Sequence, residues 1–193
     1  ASGTYSNTTS VETQEGFITK ISSSGSLLWF YSVKGLDPLN ASSYESILYV
    51  KEGPASDGYP VYGCGIVYVN AQNGYNRFVV KLNSTTGEQL WFQHFEDPTP
   101  GLWGAWMMMD FQPSGDLVLS GFVNGAINMN IGEFKSGGNP DSCYLSISRI
   151  LDSALRSTSG PTVSDVINYH DLTSGYKSGI AIRGLSDGWV IVT

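Results

Sequence analysis

Lys81-Leu82-Asn83-Ser84-Thr85-Thr86-Gly87-Glu88-Gln89-Leu90-Trp91 decides the reading of this chain. An aliphatic strand runs into a polar turn and returns as a strand anchored by Trp, the pattern of a tight β-hairpin. Lys20-Ile21-Ser22-Ser23-Ser24-Gly25-Ser26-Leu27-Leu28-Trp29 repeats it. In both copies a Lys and an aliphatic residue precede a Ser/Thr-rich turn, and Gly25 and Gly87 stand four residues before Trp29 and Trp91. Glycine permits the turn, and Trp supplies a large apolar plate whose indole N–H needs a partner.

A second hairpin type alternates with the first. Its mark is Ser or Asp before Gly, followed by an aliphatic strand: Asp57-Gly58, Ser114-Gly115 and Asp187-Gly188. A third copy of the first type begins at Arg149-Ile150-Leu151-Asp152-Ser153. It keeps the basic-aliphatic start and lacks both Gly and Trp, with a degenerate return through Leu155. The chain is expected to leave 165–175 as loop and to carry a weak strand near 127–131. Gly63 and Gly65 are expected to mark a bulge or a close backbone approach. No window shows a helical stripe.

Two hairpins per repeat, at a period of about 60–75 residues, predict four-stranded antiparallel sheets, and radial stacking of such sheets is a propeller. The expected fold is therefore all-β: a propeller-like array of about three repeats, incomplete or completed by a neighbour. Residues 1–15 read as a polar N-terminal tail or edge segment, and 16–193 as a single repeat domain. The hairpin order leaves two intact four-stranded units and two complementary halves. Three arrangements follow: a piece of a longer array, an unusually small closed propeller, or a last hairpin that completes the first sheet of a neighbour.

The stretch 82–91 resembles the tryptophan-docking motif of quinoprotein-like propellers, and 17–29 is similar to the secreted β-propeller repeats called SBBP. The resemblance implies that Trp29 and Trp91 pack between adjacent blades. The chain departs from the quinoprotein pattern at Asn83, where Asp is usual, and has no third docking Trp.

Composition narrows the function. Charged residues make up 14% of the chain, against roughly 25% in ordinary soluble domains, while Gly numbers 23 and aromatics reach 12%. That balance suits a turn-rich β protein. A net charge of −7 without a basic patch argues against nucleic acid. No apolar run is long enough for a membrane-spanning helix.

Asn7, Asn40 and Asn83 head Asn-X-Ser/Thr sequons in predicted loops or turns, where a covalent glycan can be attached. Ala1 in place of Met is expected of a processed or trimmed N-terminus. Cys64 and Cys143 permit one disulfide, the alternative being two separate buried thiols.

His94 and His170, the only histidines, show no metal-ligand spacing. Neither a nucleophile elbow nor a phosphate loop is present. Trp103, Trp106 and Met107-Met108-Met109 offer either a sugar-stacking surface or, as the favoured reading, packing between sheets. No catalytic, cofactor or metal residue is singled out. The expected function is a non-enzymatic extracellular or cell-surface module that self-associates or binds other extracellular proteins, as a building block of a fibre or coat. The alternatives are a carbohydrate-binding module and a propeller-type enzyme acting on sugars or using a quinone.

Overall fold

The computed structural model describes residues 2–6, 14–33, 45–70, 74–95, 104–123, 127–130, 133–136, 144–171 and 181–192. Asn7, Asn40, Trp103 and Cys143 lie outside them. The fold is all-β, built from antiparallel sheets, two of them four-stranded.

Sheet I has the order β1-β2-β3, from Ser2–Ser6, Gln14–Ile21 and Leu27–Ser32. Sheet II runs β4-β5-β6-β7, from Ser46–Glu52, Val61–Asn70, Gly74–Leu82 and Gln89–Phe95. It joins one hairpin of the second type to one of the first. Sheet III repeats the scheme with β8 (Gly104–Phe111), β9 (Leu117–Val123), β12 (Tyr144–Ile150) and β13 (Val166–Asp171). Between β9 and β12 a small separate hairpin pairs β10 (Ile127–Asn130) with β11 (Glu133–Ser136). The last hairpin pairs β14 (Ala181–Leu185) with β15 (Gly188–Val192). Among the described residues, β15 pairs only with β14, so it does not complete sheet I of its own chain.

The third copy of the first hairpin differs from its sequence reading. Its return strand is Val166–Asp171, which pairs along β12 from Ile150↔Val166 to Leu145↔Asp171. The expected return through Leu155 is instead a four-residue helix, α1 (Asp152–Leu155). Asp116 draws the chain into that helix by accepting the Asp152 N–H at 2.9 Å. A longer excursion therefore replaces the tight turn without losing the strand pair.

The sheets follow one another through space as they do in sequence. β4 lies against β1 and β2, β8 against β4, β5 and β6, and β14 against β8 and β9. Strand alternation decides which side chains meet. Phe78, Val80 and Leu82 point back to sheet I, where they pack with Ile18, Trp29 and Val33, joined by Ile47 of their own sheet. Val79, Trp91 and Phe95 point forward to Trp106, Met109, Leu117 and Ile150 of sheet III. Sheets II and III also share a bulge. The register slips between Ile47 and Tyr49 opposite Gly65, and between Trp106 and Met108 opposite Gly121. The extra residues, Leu48 and Met107, both pack on a third cluster of Ile66, Ala105 and Phe122.

One ionic contact runs across the three second-type hairpins. Asp110 on β8 meets Lys51 on β4 at 2.8 Å and Arg183 on β14 at 3.5 Å, and accepts the Gly184 N–H at 2.9 Å. Burial pushes the Asp110 carboxyl up, but Lys51 and the Gly184 N–H outweigh it and hold the group below its ordinary value of 3.8. A carboxylate depressed in the folded state stabilises fully above its unfolded value. That stabilisation disappears as pH falls through the lower folded one. Resistance of the chain to denaturant should therefore fall below about pH 4, and Asp110→Asn should flatten that acid limb while lowering stability at neutral pH. An acid limb unchanged in Asp110→Asn would contradict the assignment.

Candidate functional site: a repeated clamp between sheets

The strand register aligns the three first-type hairpins. Lys20 stands opposite Trp29, Lys81 opposite Trp91 and Arg149 opposite Ile167. In the first two, the cross-strand pair presents an ammonium and an indole side by side on the face toward the next sheet.

Both donors then reach one acceptor. The Ser84 carbonyl, in the turn of the next first-type hairpin, accepts the Trp29 Nε1–H at 3.1 Å and the Lys20 ammonium at 2.6 Å. The Leu155 carbonyl accepts the Trp91 Nε1–H at 3.3 Å and the Lys81 ammonium at 3.0 Å. A carbonyl oxygen has two lone pairs, so one turn carbonyl satisfies both groups. The indole N–H of a buried Trp requires such a partner.

Glycine completes each clamp. A Cβ on Gly87 would stand 2.7 Å from the Trp29 ring, and one on Gly160 would stand 2.8 Å from the Trp91 ring. Both glycines also have positive φ, +74° and +75°. The Gly87 seen in the sequence as a turn residue therefore has a second duty, because the tryptophan it touches belongs to the preceding hairpin. The third copy keeps its glycine as Gly160, contrary to the sequence reading. A search at fixed Gly-x-x-x-Trp spacing passes over it, since a 3-10 turn at Val163–Asp165 separates Gly160 from the return strand and Ile167 stands in the place of Trp. Gly160-Pro161 was the available signal.

Asn83 shapes the acceptor turn. Its Oδ1 accepts the N–H groups of Thr85 at 2.8 Å and Thr86 at 3.2 Å, an Asx turn that the usual Asp would also make. This sequon asparagine is half-buried, next to the carbonyl that receives Trp29 and Lys20.

Among the described residues, the second clamp carries an ion pair that the first does not. Lys81 is buried, and Asp57 lies 2.8 Å from its ammonium. The Tyr62 hydroxyl donates to Asp57 at 2.6 Å, and Lys81 sits over the Tyr62 ring at 5.6 Å. Burial first, and then the hydrogen bond and charge of Asp57, push the Tyr62 phenol far above its ordinary value. Asp57 was legible only as an Asp-Gly turn residue. Nothing in the sequence paired it with Lys81.

The remaining candidates are placed as follows. Gly58 and Gly115 occupy turns with positive φ, whereas Gly188 opens β15 opposite Leu185 without it. Cys64 is a free buried thiol, pushed up by burial. Trp106 is fully buried, donating its indole N–H to Ser148 Oγ at 3.2 Å, with the Arg77 guanidinium 5.1 Å from its ring. Met109 is core and Met107 packs at the bulge. His94 is half-buried on β7, and the backbone of His170 lies in β13. Among the described residues, no group of three His, Cys, Asp or Glu converges as metal ligands. No helix of the described residues is long and apolar enough to cross a membrane.

Neither a protein-family model nor a curated protein matches the chain.

Truncating Trp29 or Trp91 to Ala should each cost about 3–5 kcal/mol in chemical unfolding. The glycines separate turn from clamp. Gly25→Ala, with φ +85° and open space around it, should cost only about 1–2 kcal/mol for the backbone. Gly87→Ala adds the displacement of Trp29 and should cost about 2–5 kcal/mol. Equal losses at the two positions would show that Gly87 serves its turn alone.

The lysines make a matching pair. Lys81→Met strands a largely buried Asp57 and should cost about 3–5 kcal/mol. Lys20→Met removes one exposed hydrogen bond and should cost about 1 kcal/mol or less. Restoring most of the first loss by adding Asp57→Asn would confirm its origin.

Proposed function

We propose that the chain is a non-enzymatic structural module of an extracellular or cell-surface assembly, a segment of a propeller-like array whose purpose is to hold sheets in series. One observation carries the reading: the largest side chain of each complete first-type hairpin, Trp29 and Trp91, is committed to gripping the turn of the next sheet. The contact resembles the docking of blades in tryptophan-docking propellers. Function on this reading resides in the stacking itself, since the clamp binds backbone that every copy of the repeat presents.

Low charge and the three sequons support an extracellular setting. Asn83 is half-buried in its turn, with Thr85 and Thr86 beside it exposed. A glycan there would border the first clamp and shield the seam between sheets I and II.

Material purified from its source tests the proposal. Fibres or a coat lattice in negative-stain micrographs, with an intact mass that falls on enzymatic deglycosylation, are the expected result. A glycan-free chain recovered from the cytosolic fraction as discrete particles would overturn it.

A further inference from the structure

Lys81 and Asp57 form a buried contact between an amine and a carboxyl group. Lys81 Nζ lies 2.9 Å from Asp57 Oδ1 and 2.8 Å from Oδ2, so the nitrogen faces both oxygens at once. The two side chains are 7% and 12% exposed. Holding both charges out of water is costly, and burial favours passing a proton across to leave a neutral amine and a neutral acid. A neutral lysine amine is a nucleophile.

The surroundings distinguish the two oxygens. Oδ2 accepts the Tyr62 hydroxyl at 2.6 Å, and that phenol stays protonated because burial and Asp57 push it far above its ordinary value. It is placed to stabilise negative charge developing on Oδ2. Oδ1 faces the Lys81 ammonium. The Leu155 carbonyl accepts another Nζ–H at 3.0 Å, which leaves the remaining N–H bonds for the carboxyl group. The other close Lys–Asp pair lacks this setting. Lys51 is 32% exposed, and its partner Asp110 is shared with Arg183 and the Gly184 N–H.

We propose that Lys81 and Asp57 condense into an amide cross-link that ties the β4–β5 connection to β6. This goes beyond the structural-module reading and does not depend on it. One Nζ proton passes to Oδ1. The amine lone pair then attacks Cγ and forms the C–N bond, while the C=O electron pair moves onto Oδ2 beneath the Tyr62 hydroxyl. A second Nζ proton passes to Oδ1, the Cγ–Oδ1 bond breaks, and Oδ1 leaves as water. Ammonium and carboxylate thus balance as amide and water, with no further reactant. The fixed contact replaces a bimolecular encounter, and well-oriented pairs reach effective concentrations of about 10⁵ M or more. The product keeps one N–H for the Leu155 carbonyl and Oδ2 for the Tyr62 hydroxyl, and no buried charge remains. In freshly refolded chain the pair is still ionic, the state in which Lys81→Met is compared with wild type.

Intact-mass measurement of the refolded 193-residue chain, made without glycans and followed over days, tests this. The wild-type mass should fall by one water. Trypsin should then release residues 52–77 joined to 78–135, because an acylated Lys81 is no longer cut. The joined peptide is read on wild type alone, so the test stands even where a variant fails to fold. Lys81→Arg keeps a cation against Asp57 without a nucleophilic amine and should hold its full mass. Tyr62→Phe keeps the ring and should lose water about a hundredfold more slowly. Asp57-Gly58 can also lose water by closing to a cyclic imide, but an imide joins no peptides and forms in Lys81→Arg as well. A wild-type chain that keeps its sequence mass, water lost without joined peptides, water lost from Lys81→Arg, or an unchanged rate in Tyr62→Phe would each overturn the proposal.

Discussion

The contact on which the sheet series depends is a single backbone carbonyl that receives two donors from a neighbouring sheet. A turn necessarily leaves carbonyls without ladder partners, and a buried unpaired carbonyl is costly. Here the Ser84 and Leu155 carbonyls are each covered by an indole plate and hydrogen-bonded by both the indole N–H and a Lys. The same event buries a large apolar surface and satisfies the polar groups at its edge. Glycine beneath the ring follows from distance, since no other residue leaves room for the plate.

The two clamps solve the ammonium differently. Lys20 is exposed and keeps its hydration, so one hydrogen bond suffices. Lys81 is buried between sheets II and III, where an uncompensated charge would be prohibitive. Asp57 neutralises it, Tyr62 closes the remaining side, and Arg156 ties α1 to the Ser56 carbonyl next to Asp57. The two seams bury their polar crossings differently. Arg77 reaches Ser146 Oγ at 2.8 Å in buried surroundings across the II–III seam, whereas across the I–II seam the Tyr31 hydroxyl donates to Gln89 Oε1 at 2.7 Å in an exposed position.

Second-type hairpins contribute the other half of each interface. Their bulges, opposite Gly65 and Gly121, turn Leu48 and Met107 onto a shared cluster. Their outer strands carry Lys51, Asp110 and Arg183, alternating in charge so that one carboxylate serves both neighbours. First-type hairpins thus grip by shape and backbone hydrogen bonding, while second-type hairpins contribute charge. Each sheet needs both, which accounts for the alternation of the two hairpins along the chain.

Read as a string of residues, the chain determines its strand class, its two hairpin types, their alternation and the grouping into four-stranded sheets. Those features depend on period-two alternation and on turn residues close in sequence, so Ser22–Gly25 and Asn83–Gly87 announce themselves. What the tryptophans touch was not legible. Trp29 meets a turn more than fifty residues away, and Trp91 meets one that a short helix has lengthened. Gly160, Asp57 and the return strand Val166–Asp171 take their roles from such distant partners, and no local spacing encodes them. Tertiary packing decided these, because a clamp is defined by which carbonyl lies over which ring once neighbouring sheets have stacked.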